Sequence, residues 1–266
     1  MKIFFVFVFT LFSHAHEVTQ NSLTISGATT IQPIIEEVAN LYFKEMQGEL
    51  FIEGGGTEGG LQKLRDKKAD IAMVARDLSQ EERQNFSYVS VAIDAVAVVL
   101  NKSKNIQNLT KEQLLDIYGG KSTDFIVISR KIDRATLNVF EAYSGLSSPK
   151  RKNIPPNTKH IRADAWEAES NINTLLWVAG LKNTIAIVSH AEALRYIEMG
   201  YPIVIAAIDG VSPTNESIKN GTYPITRNLY LVWNKENERA TEFIKWSKQP
   251  SFIKATQKLG FTAVER

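Results

Sequence analysis

The sequence predicts an α/β fold of two lobes, with mainly parallel sheets flanked by helices and a ligand cleft between the lobes. Three observations predict it. Strand-like and helix-like patterns alternate along nearly the whole chain. The 266 residues are 44% apolar and 23% charged, which suits one large α/β domain or two of ordinary size and does not suit disorder, collagen or coiled coil. No Pro- or Ser-rich linker divides the chain, which favours lobes whose chain crosses between them over two independent domains.

The first fifteen residues stand apart. Lys2 precedes an apolar run from Ile3 to Phe12, and Ser13 and Ala15 occupy the small-residue positions of a signal-peptidase site. The run is too short for a bilayer core of roughly 30 Å. Residues 1–15 are therefore expected to be a secretory signal cleaved after Ala15, leaving a soluble, exported, periplasmic protein. Leu23 to Ile25 then reads as a strand, and Ile31 to Met46 as a helix with Ile31, Ile34, Ile35, Val38 and Tyr42 on one face. A strand at Leu50 to Ile52 runs into Gly54, Gly55 and Gly56, and a short helix is expected over Gly60 to Lys67. Asp70 to Ala75 is an apolar strand. Ser79 to Glu82 forms a capping box that starts a helix, and Tyr88 to Leu100 is a long extended stretch.

Thr110 to Gln113 forms a second capping box, whose helix stops at Gly119 and Gly120. Phe125 to Ser129 is a strand, Ala135 to Tyr143 a helix, and residues 146–160 a loop marked by Pro149, Pro155 and Pro156. Helix, strand, helix and strand follow at Ile172 to Val178, Thr184 to Val188, Ala191 to Met199 and Ile203 to Ile208. An extended run at Leu229 to Trp233 precedes two amphipathic helices, Glu238 to Lys248 and Phe252 to Leu259, separated by Pro250.

Composition removes several functions. A formal charge of +2 is no footprint for nucleic acid or an acidic membrane. Without cysteine there is no disulfide, thiolate metal site, thiol nucleophile or lipid-modified N-terminal Cys, so the protein is not a lipoprotein. His14 and His16 lie in the leader region, and His160 and His190 are far apart in sequence, without metal-ligand spacing. No metal and no cofactor is expected. A secreted hydrolase is disfavoured, because no G-x-S-x-G elbow appears and neither remaining His stands in a triad pattern.

Polar residues collect where the strands end, which is where open α/β sheets bind ligands. After Ser26 come Gly27, Ala28, Thr29 and Thr30. After Glu53 come Gly54, Gly55, Gly56 and Thr57. Ala75 is followed by Arg76, and Ser129 by Arg130, then Asp133, Arg134 and Thr136. Glycines let backbone N–H groups approach a ligand, helix N-termini add free donors, Thr supplies hydroxyls, and Arg supplies a fork that fits an oxyanion. Each element taken alone has a plainer reading: a turn for the glycines, a helix cap for Thr29 or Thr30, surface ion pairing for Arg76 and Arg130. Asp94 reads either as a solvent-facing strand residue or as a fixed carboxylate holding an arginine. Together the four strand ends describe a site that binds an anion without transforming it, so no enzyme is expected.

These segments resemble the periplasmic phosphate-binding proteins of phosphate ABC transporters, in the shorter branch of that family. The resemblance rests on Gly27 to Pro33, Gly54 to Gly60, Ala69 to Arg76, Asp94 to Asn101, Leu109 to Lys121, Asp209 to Thr214 and Gly221 to Arg227, in that order and spacing. It implies a type II-like periplasmic binding protein. Lobe 1 is expected over 22–103 plus 204–266 and lobe 2 over 104–203, with hinge stretches near 95–103 and 203–209. It implies phosphate binding by Thr29, Thr30, Gly56, Thr57, Arg76, Arg130 and Thr136. Asp94, Asp133 and Arg134 are expected behind them on this chain's own residues, not by the resemblance. The family's Gly-Ser-Gly in the Arg130 loop is replaced here by Asp133, Arg134 and Ala135.

The function expected is capture of inorganic phosphate, or a related oxyanion, by a monomer that delivers it to an inner-membrane ABC permease. The alternative is a sensor, adhesin or receptor for another ligand on the same fold, with weak phosphate binding or none.

Overall fold

The computed structural model of the chain describes residues 22–264. The expected signal segment lies outside the described residues. The elements follow in order as β1 (Leu23–Gly27), α1 (Gln32–Met46), β2 (Leu50–Glu53), α2 (Gly56–Arg65), β3 (Ile71–Val74), α3 (Gln80–Asn85), β4 (Ser87–Asn101), β5 (Asn108–Leu109), α4 (Lys111–Tyr118), β6 (Ile126–Arg130) and α5 (Ala135–Ser144). Then come β7 (Trp166–Ala168), α6 (Asn171–Gly180), β8 (Thr184–Ser189), α7 (His190–Glu198), β9 (Ile203–Ile208), α8 (Asn215–Lys219), β10 (Thr226–Trp233), α9 (Glu238–Trp246), α10 (Pro250–Lys258) and β11 (Thr262–Ala263). Both expected capping boxes are formed. Ser79 and Glu82 bracket the start of α3, and Thr110 and Gln113 that of α4, each reciprocally satisfying two otherwise free N–H donors.

The sheet runs β2-β1-β3-β10-β4-β8-β6-β7, with β9 and β11 paired to β4 and β5 paired to β9. Pairings among β2, β1 and β3, between β6 and its neighbours β7 and β8, and between β5 and β9 are parallel. Every pairing made by β4 and β10 is antiparallel. The sheet is therefore mixed, half of its pairings being antiparallel. The cause is β4, a 15-residue strand whose first part pairs with β10 and β11 and whose second part pairs with β8 and β9. It leaves one lobe and enters the other without a break.

Two separate cores lie along that continuous strand. Ala95, Val96, Val98 and Leu100 pack in one core with Leu137, Ile187, Ala206, Ile208, Ile218, Tyr223 and Ile225. Leu23, Ile25, Ile34, Ile35, Val38, Leu229, Leu231, Phe243 and Phe252 form a separate core. The chain thus passes from one core to the other near Asp94–Val96 and again near Ile225–Arg227. The two crossings lie side by side: Arg227 registers with Asp94 and Thr226 with Ala95, and the Val96 N–H donates to the Ile225 carbonyl at 2.8 Å.

Each core buries fully apolar strands between layers. In lobe 1, Tyr42 meets Phe243 and Trp246 edge-on, with ring centroids 5.2 and 5.1 Å apart. On the other face of the same sheet, Leu61 and Leu64 of α2 cover Ala72, Val74 and Val232. This two-sided cover explains why Ile71–Val74 reads as an unbroken apolar run. No helix of the described residues is long and apolar enough to cross a membrane.

Candidate anion-binding site

Three helices begin at the lobe boundary: α1 after Thr29 and Thr30, α2 at Gly56 and Thr57, and α5 at Ala135 and Thr136. None of the three carries a side-chain cap, whereas α3, α4, α6, α8 and α9 all do, as α7 and α10 do not. The first N–H groups of α2 and α5 are therefore left without a side-chain acceptor, and each N-terminus carries partial positive charge. In α1 the Gln32 and Ile34 N–H groups donate to the Ala28 and Ile31 carbonyls, and Pro33 has none. Two glycines set α2 in place. Gly56 has φ +79°, and Gly60 packs so tightly that an added Cβ would stand 2.5 Å from the Ser26 carbonyl oxygen. Only the missing side chain at Gly60 lets α2 lie directly on the end of β1.

Between these ends lies a small cavity of about 20 Å³, lined by Ala28, Thr29, Thr30, Gly56, Thr57, Ala75, Arg130, Arg134, Ala135, Thr136 and Arg227. Residues of both lobes close it. The volume suits a small ion, not an organic molecule. Larger grooves run along the lobe boundary. One, of about 570 Å³, lies among α1, α6 and α7; another, of about 450 Å³, holds Arg76 and Tyr143.

Three guanidiniums face the cavity. Arg130 is 2% exposed; its Nη1 donates to Asn171 Oδ1 at 2.9 Å and to Thr174 Oγ1 at 2.7 Å, and its Nε is buried with no partner in the protein. Burial lowers its pKa to about 10, with Arg227 and Arg134 adding to the effect, so it stays charged at neutral pH. Arg134 also has a buried Nε without a hydrogen bond, 3.3 Å from the carboxylate of its neighbour Asp133. Arg227 is buried at the crossing of the strands. Its Nε and Nη2 donate to Asp94 Oδ2 at 3.1 and 2.7 Å, its Nη1 to Thr136 at 3.0 Å, and its Nη2 to Thr30 at 3.2 Å.

The hydroxyls are polarised in one sense. Thr30 and Thr136 accept from Arg227, and Thr57 accepts from the Ala75 N–H at 3.1 Å. An oxygen that accepts from the protein has its own proton free to donate. Donors thus converge from three guanidiniums, three hydroxyls and the starts of α2 and α5, and no carboxylate is among the lining residues. The arrangement solvates negative charge. Among the described residues, no group of His, Cys, Asp and Glu could hold a metal ion.

Thr29, Thr30, Gly56, Thr57, Arg130, Arg134 and Thr136 are brought together here. Arg76 is not. Two carboxylates turn it into the second groove: it donates to Glu58 at 2.8 Å and to Glu82 at 2.9 Å through both nitrogens, and to the Asp77 carbonyl. The Glu82 hydrogen bond is the main cause that raises the Arg76 pKa, and the same bond holds the Glu82 carboxyl below its usual range. Asp133 points outward, with its side chain half-exposed. Asp94 lies behind the cavity, where it anchors Arg227 and accepts from Ser189 at 3.2 Å.

Arg227 was not among the expected site residues. It starts a strand instead of following one, so a search of strand ends passes over it. The signal that could have found it is Asp94, a lone acid within an apolar strand that needs a buried cation. Asn171, which orients Arg130, gives no comparable signal.

A family model described as a PBP superfamily domain matches residues 13–249. The chain belongs to the PBP superfamily. It is 31% identical over 102 residues to the phosphate-binding protein PstS 2 of Streptococcus pneumoniae; that match spans 38% of this chain and 35% of the relative, so it covers about a third of each. It is 24% identical over 266 residues to the phosphate-binding protein PstS of Borreliella burgdorferi, covering 96% of this chain and 94% of that one. A crystal structure from Clostridium perfringens, described as a phosphate ABC transporter substrate-binding protein with bound phosphate, superposes with TM-score 0.80 at 24% identity. It covers 92% of this chain and 100% of that one. The PBP-superfamily chain accordingly has the two-lobed binding-protein fold.

Proposed function

We propose that this protein is an exported solute receptor that captures inorganic phosphate between its lobes and delivers it to an inner-membrane ABC permease. The observation that carries the reading is the buried, cationic cavity at the lobe boundary. Arg130 and Arg134 each hold a buried Nε without a hydrogen-bond partner in the protein, beside hydroxyls poised to donate. A buried donor left unpaired is costly, and an oxyanion is the ligand whose acceptors remove that cost. The names of the relatives point the same way.

The replaced loop supports phosphate instead of opposing it. Arg134 lines the cavity close to Gly56, while its ion-pair partner Asp133, 3.3 Å away, is not among the lining residues, so the exchange presents a guanidinium to the cavity without changing the net charge. Binding without catalysis is supported by the lining, which holds hydroxyls but no histidine or carboxylate to act as their base. The expected signal, export and monomeric state complete the reading. Calorimetric titration tests it on protein stripped of anion by partial unfolding and refolded. Phosphate is expected to bind with micromolar or tighter affinity. A folded protein that gives no heat with phosphate overturns the receptor reading.

A further inference from the structure

Arg130 does not reach its cavity unaided. Its Nη1 donates to Asn171 Oδ1, and the same amide donates through Nδ2 to Glu192 Oε1 at 2.7 Å. Glu192 is 8% exposed, stands on α7, and lines the floor of the larger groove beside Arg195, Tyr196 and, across the boundary, Glu36 and Glu37 of α1. A carboxyl that closes one side of a water-filled groove can exchange protons with solvent. Through one side-chain amide it also touches the guanidinium that faces the anion. We propose that Glu192 is a positioning residue that holds Arg130 through Asn171, and that its charge, present or absent with its protonation state, sets how tightly the neighbouring cavity holds an anion. This rests on the anion-receptor reading above.

The charges around it set the sign. Arg130 on β6 and Arg227 on β10 favour the ionised carboxylate, and Asp94 on β4 opposes it. Burial outweighs them and pushes the Glu192 carboxyl up to about 7, despite the hydrogen bond from Asn171. On its own helix, Arg195 adds a cation, while burial lowers the His190 pKa and so disfavours its charged form. A dianion in the cavity brings further negative charge and pushes the carboxyl higher still. Anion binding and proton uptake by Glu192 are then linked, each favouring the other. Affinity is full where Glu192 is already neutral and falls as pH rises through 7. Asn171 can donate to the carboxyl in either state, so the geometry of Arg130 is retained while the charge behind it changes.

The test compares wild type with Glu192→Gln, which keeps an acceptor for Asn171 and removes the charge. Phosphate dissociation constants are measured from pH 5.5 to 8.5 and taken as the wild-type to variant ratio, which cancels the titration of phosphate itself. The ratio is expected near one at pH 5.5. It should rise toward about tenfold at pH 8.5 if the anion shifts the carboxyl by one unit. Glu192→Ala, which releases Asn171, should bind weakly at every pH, a change a charge effect alone would not give. A flat ratio between two proteins that both bind phosphate overturns the role of Glu192 and leaves the receptor reading standing. Absence of binding in folded wild type overturns both. Should the Gln variant not fold, carbon NMR of the Glu192 carboxyl in wild type decides, because a titration unmoved by saturating phosphate sinks the linkage.

Discussion

The hydroxyls of Thr30, Thr57 and Thr136 each accept a hydrogen bond from the protein, which leaves their own protons free to donate to a ligand in the cavity they line. Arg227 is central to that orientation. It is neutralised by Asp94, so the pair contributes direction more than net charge, while Arg130 and Arg134 contribute the charge. Arg76 differs by its partners. Glu58 and Glu82 already occupy its nitrogens. Arg130→Ala is therefore expected to weaken phosphate binding at least a hundredfold, the loss of about 3 kcal/mol from a charge-assisted bond in a buried site. Arg76→Ala should leave affinity within about twofold while lowering stability, because Glu82 loses its principal partner. Calorimetry on both variants separates the two arginines, and equal losses would return Arg76 to the site.

At the scale of elements, the position of α2 decides whether its free N–H groups reach the cavity. Gly60→Ala would press a Cβ against backbone, 2.5 Å from the Ser26 oxygen and 2.6 Å from the Gly27 Cα, where no side chain can yield. It should cost about 1–3 kcal/mol of stability and weaken phosphate binding together, as the helix lifts from β1. At neighbouring Gly59 an added Cβ meets nothing within 4 Å, so Gly59→Ala should leave binding unchanged and gain up to about 1 kcal/mol of helix propensity. Denaturant unfolding with parallel titrations measures both. The same element shows what the sequence could reveal. The glycine run and Thr57 marked the loop, but the helix begins at Gly56, earlier than Gly60, because poor helix formers are tolerated where packing and an anion-facing N-terminus decide. Long elements with strong patterns, such as α1 and β4, were legible. β7 and α8, three and five residues long, were not, since so few residues carry no period.

For the whole molecule, the pairing of distant strands was the illegible part. Hydrophobic pattern marks β4 as extended without naming its partners, so neither its antiparallel neighbours nor the second crossing at β10 could be read from it. Those pairings place the only buried ion pair among the ion pairs of the described residues, Asp94 with Arg227, on the two adjacent strands that join the lobes. Arg227 reaches Thr30 in lobe 1 and Thr136 in lobe 2 from that point. An anion bound at these residues would lie against the two strands that join the lobes and bond to both lobes at once, which is the geometry in which a small ligand can hold two bodies closed. Without it, Arg130 and Arg134 repel each other across the cavity, and water in an open cleft would solvate them better. Anion-stripped protein is thus expected to populate a more open form, with a larger radius of gyration in small-angle scattering, and to contract on saturation with phosphate. Scattering curves that superpose with and without saturating phosphate would show that the lobes are fixed and that capture proceeds through the grooves without closure.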